Sequence, residues 1–303
     1  MAHEADSDTL SIDTSYLRMV TIRDRQFQQY ALDNLIWFAP EEAERLNLQH
    51  EVFNLVFDHR LIFPPITTPQ KILDCGYGSA AWAIDVAEQF PDSEIVGVDI
   101  SPQLKPDETP ENLWLQVSLP TVDRVGAAKG VLARSCRKPV GQEHCACEIV
   151  LELSIEKAIP SARSKAARML DDLNKRFTFP PNSFDLVHSR LVANGINRDR
   201  WPQYLRDIKR ALKPGGWVQM VELYYNCQSD NGSLTDDHAL RQWSSQYLSS
   251  MDGLKDLRAP MRLAQMMRDA GLVDLETRMI PLPLCAWSNV SRTVLVPATG
   301  TKE

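Results

Sequence analysis

Lys71-Ile-Leu-Asp-Cys-Gly-Tyr-Gly-Ser-Ala-Ala-Trp82, followed by Glu94-Ile-Val-Gly-Val-Asp-Ile-Ser101, reads as strand, glycine turn, helix and second strand ending in a carboxylate. Ile72 and Leu73 form a short apolar run that stops at Asp74. Gly76 and Gly78 then allow a turn that a Cβ would resist. Trp82, Ala83, Val86, Ala87 and Phe90 recur at helical spacing, Pro91-Asp92 ends the helix, and Ile95 to Ile100 reads as a buried strand carrying Asp99. The N–H groups of such a turn can meet a polar ligand, and an acid at the end of the second strand can bind ribose hydroxyls. The pattern therefore points to a nucleoside cofactor.

Two such cofactors share the signature. Gly76 to Ala81 satisfies the dinucleotide pattern G-x-G-x-x-[G/A], with Asp99 at the expected distance. Asp74, two residues before the first glycine, argues the other way. A carboxylate there repels a pyrophosphate across low-dielectric space. It suits instead the cationic amino group of S-adenosylmethionine (SAM), so SAM is favoured over NAD.

The chain has 303 residues, 44% of them hydrophobic, enough for one large α/β domain with an appendage. Its net charge of −7 argues against nucleic acid as a bulk electrostatic partner. There is no apolar run of roughly 18 residues, so neither a membrane span nor a membrane partner is expected. Six scattered cysteines and a polar, acidic N-terminus suit a reducing compartment, the cytoplasm first. Cys136 with His144-Cys-Ala-Cys147 lacks the paired C-x₂-C spacing of structural zinc, and no metal is expected.

Outward from the turn, residues 1–65 read as a disordered tail and a helical cap. Pro40-Glu-Glu42 marks a helix start, and Leu46, Val52, Phe53, Val56 and Phe57 share an apolar face that packs over the turn. Tyr30, Trp37 and Phe38 are either core or pocket lining. Asn112 to Val117 reads as a third strand and Phe184 to Arg190 as a fourth. Trp201, Tyr204, Leu205, Ile208 and Leu212 mark an amphipathic helix stopped by Lys213-Pro-Gly-Gly216. Trp217 to Leu223 is a fifth strand and Val273 to Pro283 a sixth, with helices over 236–247 and 260–270 between them. Strands alternating with helices imply a doubly wound, mostly parallel sheet, with the ligand at the carboxyl ends of its strands.

Together, Leu-Asp-Cys-Gly-Tyr-Gly, Val-Asp-Ile-Ser, Phe-Asp-Leu-Val-His-Ser-Arg and Leu-Lys-Pro-Gly-Gly-Trp-Val-Gln resemble class I SAM-dependent methyltransferases, a Rossmann-like fold. Within them the chain is similar to the fungal LaeA-like (UMTA) group, and Glu44-Arg-Leu-Asn-Leu-Gln-His50 resembles that group's N-terminal helix. The resemblance implies SAM held by Asp74, Gly76, Tyr77 and Gly78, with the ribose on Asp99 beside Ile100. It implies adenine contact by an acid after strand three, Asp171 or Asp172, with Asp172 preferred. His188-Ser189-Arg190 falls where the family faces the methionine moiety and the acceptor. Ser189 is thus a cofactor contact, and His188 and Arg190 are candidates for catalysis. The function implied is methyl transfer to oxygen, nitrogen or sulfur of a small-molecule acceptor in fungal secondary metabolism. The alternatives are a LaeA-like regulator in a nuclear protein complex and a catalytically impaired remnant.

Three departures accompany the resemblance. Ala80 stands where the turn's third glycine is expected. Residues 118–170 separate strand three from its acid, and this block carries nine Lys/Arg against five Asp/Glu, net +4, in a remainder of 24 against 35, net −11. It reads as a surface insertion or as translated intron sequence within a methyltransferase domain spanning 66–289. Residues 290–303 are atypical of the group, and a seventh strand is expected to be missing.

Overall fold

The computed structural model describes residues 18–22, 25–28, 42–117, 146–155, 172–229 and 232–283. Among the described residues of the N-terminal region, Met19–Ile22 (β1) and Arg25–Gln28 (β2) pair antiparallel, and Glu42–Val56 forms helix α1. The β-branched run of residues 20–22 suits a strand. Tyr30, Trp37, Phe38 and Asp171 lie outside the described residues, as does 284–303.

Seven further strands build the central sheet. They are β3 (Lys71–Cys75), β4 (Glu94–Asp99), β5 (Leu113–Val117), β6 (Ala146–Ile155), β7 (Phe184–Arg190), β8 (Leu212–Gln228) and β9 (Val273–Pro283). Their order across the sheet is β5-β4-β3-β7-β8-β6-β9. β5, β4, β3, β7 and β8 run parallel to one another, and β6 lies antiparallel to β8 and β9. The doubly wound, mostly parallel sheet read from the sequence is thus present, with the strand order reversing between β3 and β7. At that reversal two βα turns diverge and leave a crevice.

Helix α2 (Ala81–Gln89) covers one face, burying Trp82, Ala83, Val86 and Ala87 against Ile72, Ile95 and Leu186. The other face packs against α3 (Trp201–Ala211), through Trp201, Tyr204, Leu205 and Ile208. After α4 (Ala239–Ser250), helix α5 (Leu263–Asp269) joins that face through Leu263 and Met267. Burying such side chains contributes about 1.5–3 kcal/mol each relative to exposure. Pro202 sits in the first turn of α3, where its missing N–H costs nothing, and Lys209 and Arg210 face the negative end of its dipole. The Asp185 carboxylate clamps the start of the sheet: Oδ2 accepts the N–H groups of Gln70 (2.9 Å) and Lys71 (2.8 Å), and Lys213 Nζ donates to the same group at 2.9 Å.

The sequence leaves the sheet without a seventh strand, yet β6, from within 118–170, occupies that position. It pairs with β8 from Ala146↔Gln228 to Ile155↔Trp217 and with β9 from Ala146↔Pro283 to Ile155↔Val273. Within 148–157, whose apolar spacing is compatible with helix or strand, the described residues 148–155 form strand.

Candidate active site

The carboxyl ends of β3, β4 and β7 converge with α1 around a cleft of about 1080 Å³, part of it open to solvent. Its floor is the glycine turn. Gly76 and Gly78 both have positive φ, +76° and +58°. A Cβ at Gly76 would stand 2.9 Å from Val192 Cγ1, and one at Gly78 would stand 3.1 Å from Leu46 Cδ1 of α1. Glycine is required here by both backbone and neighbours. Ala80 adopts the same left-handed region, φ +62°, while fully buried at the N-cap of α2.

Asp99 joins the two halves of the motif. Its Oδ2 accepts the Gly78 N–H at 2.8 Å and its Oδ1 accepts the Ser101 N–H at 2.9 Å. Each oxygen keeps a further lone pair for a ligand hydroxyl. Burial pushes the Asp99 carboxyl up to about 6, against the pull of those backbone donors. On the opposite wall, Asp172 Oδ1 accepts the Asn174 N–H at 2.8 Å, an Asx turn. This wall is held from behind. Arg200 Nε donates to the Leu173 carbonyl at 2.9 Å, while its Nη2 pairs with buried Asp207 Oδ2 at 2.7 Å. Asn174 Nδ2 donates to the Gly195 carbonyl at 3.0 Å.

The segment after β7 closes the far side. Leu191 has φ +58°, and Glu222 of β8 fixes the two residues beyond it: Oε1 accepts the Val192 N–H at 2.9 Å and Oε2 the Ala193 N–H at 3.2 Å. Burial raises the Glu222 carboxyl to about 8. Buried Lys255 donates to the Gly195 carbonyl and to Asn197 Oδ1, both at 2.7 Å, and burial lowers its ammonium to about 8. This brings the stretch after α4 against the cleft.

Of the residues expected from sequence, Gly76, Tyr77, Gly78, Asp99, Ile100, Asp172 and Arg190 line the cleft. Three do not. Asp74 lies beneath the floor, 3% exposed, with its carboxyl raised to about 7 by burial although the neighbouring Arg190 charge opposes this. Ser189 is buried and bonded to Tyr204 Oη at 2.8 Å. His188 is 1% exposed, stacked on Trp82 with ring centroids 3.6 Å apart, and lines a separate, small pocket. Burial holds His188 well below its ordinary 6.5, so it is neutral, and in the described structure no acceptor in the main cleft meets it.

The sequence reading missed Glu42, Arg45 and Gln49 of α1, Asn174, residues 191, 192 and 194–196, and Tyr225, while Leu46 packs over the turn as its apolar face implied. The α1 residues carried a signal: 42, 45, 46 and 49 fall on one helical face. Arg45 is bonded to Glu42 there at 2.7 Å. Glu222, whose place at the end of the fifth strand points it to this edge in a fold-stabilising role, holds backbone 30 residues away that no local pattern names.

The site fits a SAM-sized nucleoside. The two glycines make a cradle that a Cβ would fill, Asp99 offers acceptors for a diol, and the buried Tyr77 hydroxyl has no partner among the described residues. Comparison with known proteins agrees. A family described as a methyltransferase domain matches residues 48–277. The chain is 26% identical over 251 residues to the secondary metabolism regulator laeA of Aspergillus flavus, covering 82% of this chain and 53% of that protein. It is 26% identical over 268 residues to the protein-methionine methyltransferase laeA of Emericella nidulans, covering 83% and 54%. With the probable methyltransferase tdiE of Emericella nidulans it shares 27% identity over 248 residues, covering 81% and 60%. The chain thus spans little more than half the length of these curated relatives. With the glycine turn, Asp99 and the reversal of strand order already in place, the match over 48–277 settles the lineage: this chain belongs to the family of SAM-dependent methyltransferase domains.

Proposed function

We propose that this chain binds SAM in the cleft and transfers its methyl group to a small-molecule acceptor of secondary metabolism, working in the cytoplasm. The observation that carries this reading is Asp99, locked by the Gly78 and Ser101 N–H groups with its remaining lone pairs open to the cleft. Asp99 and Ile100 would hold the ribose, Asp172 the adenine, and the Gly76–Gly78 turn and Arg190 the methionine end, whose carboxylate suits a guanidinium. SAM supplies a methyl on a sulfonium, ready for in-line attack. What remains for the protein is alignment and exclusion of water. Buried Asp74 adds negative potential under the cationic end, and α1 with Tyr225 roofs the acceptor side. His188, outside the cleft, is a packing residue in this scheme. The acceptor atom, whether oxygen, nitrogen or sulfur, therefore brings its own nucleophilicity.

Calorimetry with SAM tests the reading. Wild-type protein should bind, and Asp99→Ala should weaken binding on the order of a hundredfold, the worth of hydrogen bonds to a charged group. No heat from the wild type at high micromolar SAM would end the proposal. A second reading rests on the name of the Emericella nidulans laeA relative: a methionine side chain as acceptor, within a regulatory protein complex in the nucleus. Incubation with methyl-labelled SAM separates the two. Label in protein supports the second; label in extracted small molecules supports the first.

A further inference from the structure

Arg190 is the one strong cation in contact with both the main cleft and the smaller cavity behind it, among the described residues lining either. A long, charged side chain in such a place has many rotamers, and something must select one. Here the selection comes from α1. Arg190 Nη1 donates to His50 Nδ1 at 3.1 Å, while its guanidinium lies over the Phe53 ring, 5.3 Å from the centroid. Because a guanidinium only donates, His50 Nδ1 must carry the lone pair and Nε2 the proton. That proton has a partner, Asp85 Oδ2 of α2 at 2.8 Å. Asn54 Nδ2 reaches the same Asp85 oxygen at 3.4 Å. His50 itself is 3% exposed. Asp85 thus fixes the tautomer of His50, and His50 fixes the direction of Arg190, as outer partners orient a binding group elsewhere.

We propose that His50, held by Asp85, is a positioning residue that aims the Arg190 guanidinium at the carboxylate of the cofactor's methionine moiety. The inference rests on the reading of the cleft as a SAM site. It gives α1 a task beyond covering the glycine turn: only with α1 docked is Arg190 set for the amino-acid end of the cofactor. Asp74 also attracts Arg190, so losing the His50 bond leaves the guanidinium free to settle toward that carboxylate and away from the ligand.

The test compares two ligands on the full chain by calorimetry: S-adenosylhomocysteine, which carries the methionine-derived carboxylate, and 5′-methylthioadenosine, which lacks the whole amino-acid end. His50→Gln reaches Asp85 but presents no acceptor at the Nδ1 position. It should weaken S-adenosylhomocysteine by roughly tenfold or more, the worth of a hydrogen bond to a charged group, and leave methylthioadenosine unchanged. His50→Asn puts an amide oxygen where Nδ1 stood and should restore S-adenosylhomocysteine to within about threefold. Equal weakening of both ligands, no weakening of either, or failure of Asn to restore binding would overturn the inference. Wild-type protein that binds neither ligand would instead overturn the SAM reading beneath it. Thermal melts of each variant confirm that folded protein is being compared.

Discussion

Ala80 shows how one side chain can both fit the turn and oppose it. In D-x-G-x-G-x-G order it takes the third glycine position, and it keeps a left-handed backbone that costs an L-residue roughly 1–2 kcal/mol. The methyl is fully buried, within the cluster that holds Ile72, Trp82 and Val86, which offsets part of that cost. Ala80→Gly should relieve the strain and lose the contact and the unfolded-state restriction, about 0.4–1 kcal/mol against it. The expected result is a gain in stability of no more than about 1 kcal/mol, read as a higher Tm with unchanged SAM affinity. The complementary Gly78→Ala adds a strained φ and a contact 3.1 Å from Leu46, and should both lower Tm and displace α1 from the cleft. That displacement is measurable as faster amide exchange across 42–56.

Elements set how much of this was legible beforehand. β7 falls at the bounds its apolar run marks, because a buried parallel strand is a largely apolar stretch that ends abruptly. β9 also falls at its expected bounds, although it is a mostly exposed edge strand, antiparallel to β6. The glycine turn was legible because Gly76 and Gly78 act through their own backbone, and Asp99, 21 residues from the Gly78 N–H it accepts, stands at the spacing a strand-turn-helix-strand unit sets. Arg45 and Gln49 were not, since polar residues on a helix read as a solvated face until another element is placed against them. The Arg200–Asp207 pair was equally hidden, as it serves the backbone of 173 and 175 from a different element. Removing one partner of a buried pair costs about 3–5 kcal/mol. Asp207→Ala should therefore lower stability by that order and loosen the Asp172 wall, so that SAM weakens more than stability alone explains. β6 was the largest surprise at this scale. Its net-positive block breaks the chain's composition and reads as foreign to the domain, yet the strand completes the sheet between β8 and β9. We propose that the strand over 146–155 is structural in this chain. Joining residue 117 to 171 should leave the long edge of β8 unpaired and lower the Tm or cause aggregation. A shortened protein melting at the wild-type temperature would show that β9 moves directly onto β8.

For the molecule as a whole, the cleft gathers buried acids whose charge state links stability, pH and cofactor. Asp74, Asp99 and Glu222 stand at about 7, 6 and 8, each raised mainly by burial from ordinary values near 4. A group whose folded pKa is raised binds its proton more tightly when folded. Its stabilisation is complete below the unfolded value and is lost as pH rises through the folded one. These three therefore remove stability from the ligand-free protein as pH rises from about 4 to about 8. His50 and His188 run the other way: burial lowers both below 6.5, so they remove stability as pH falls under that value. Lys255, lowered to about 8, gives stability back only above that pH. The ligand-free Tm should accordingly fall as pH rises from about 6.5, where the histidines no longer contribute, toward 8. In the proposed pose the ribose hydroxyls of SAM would donate to Asp99 and its cationic groups would sit above Asp74, so SAM would favour the ionised carboxylates and bind with proton release. The rise in Tm at saturating SAM should thus grow steadily from pH 6 to pH 8, and the calorimetric heat should change with the ionisation enthalpy of the buffer. Asp74→Asn should flatten part of that growth. A SAM-induced shift of constant size across this range would mean that the acids do not sense the cofactor.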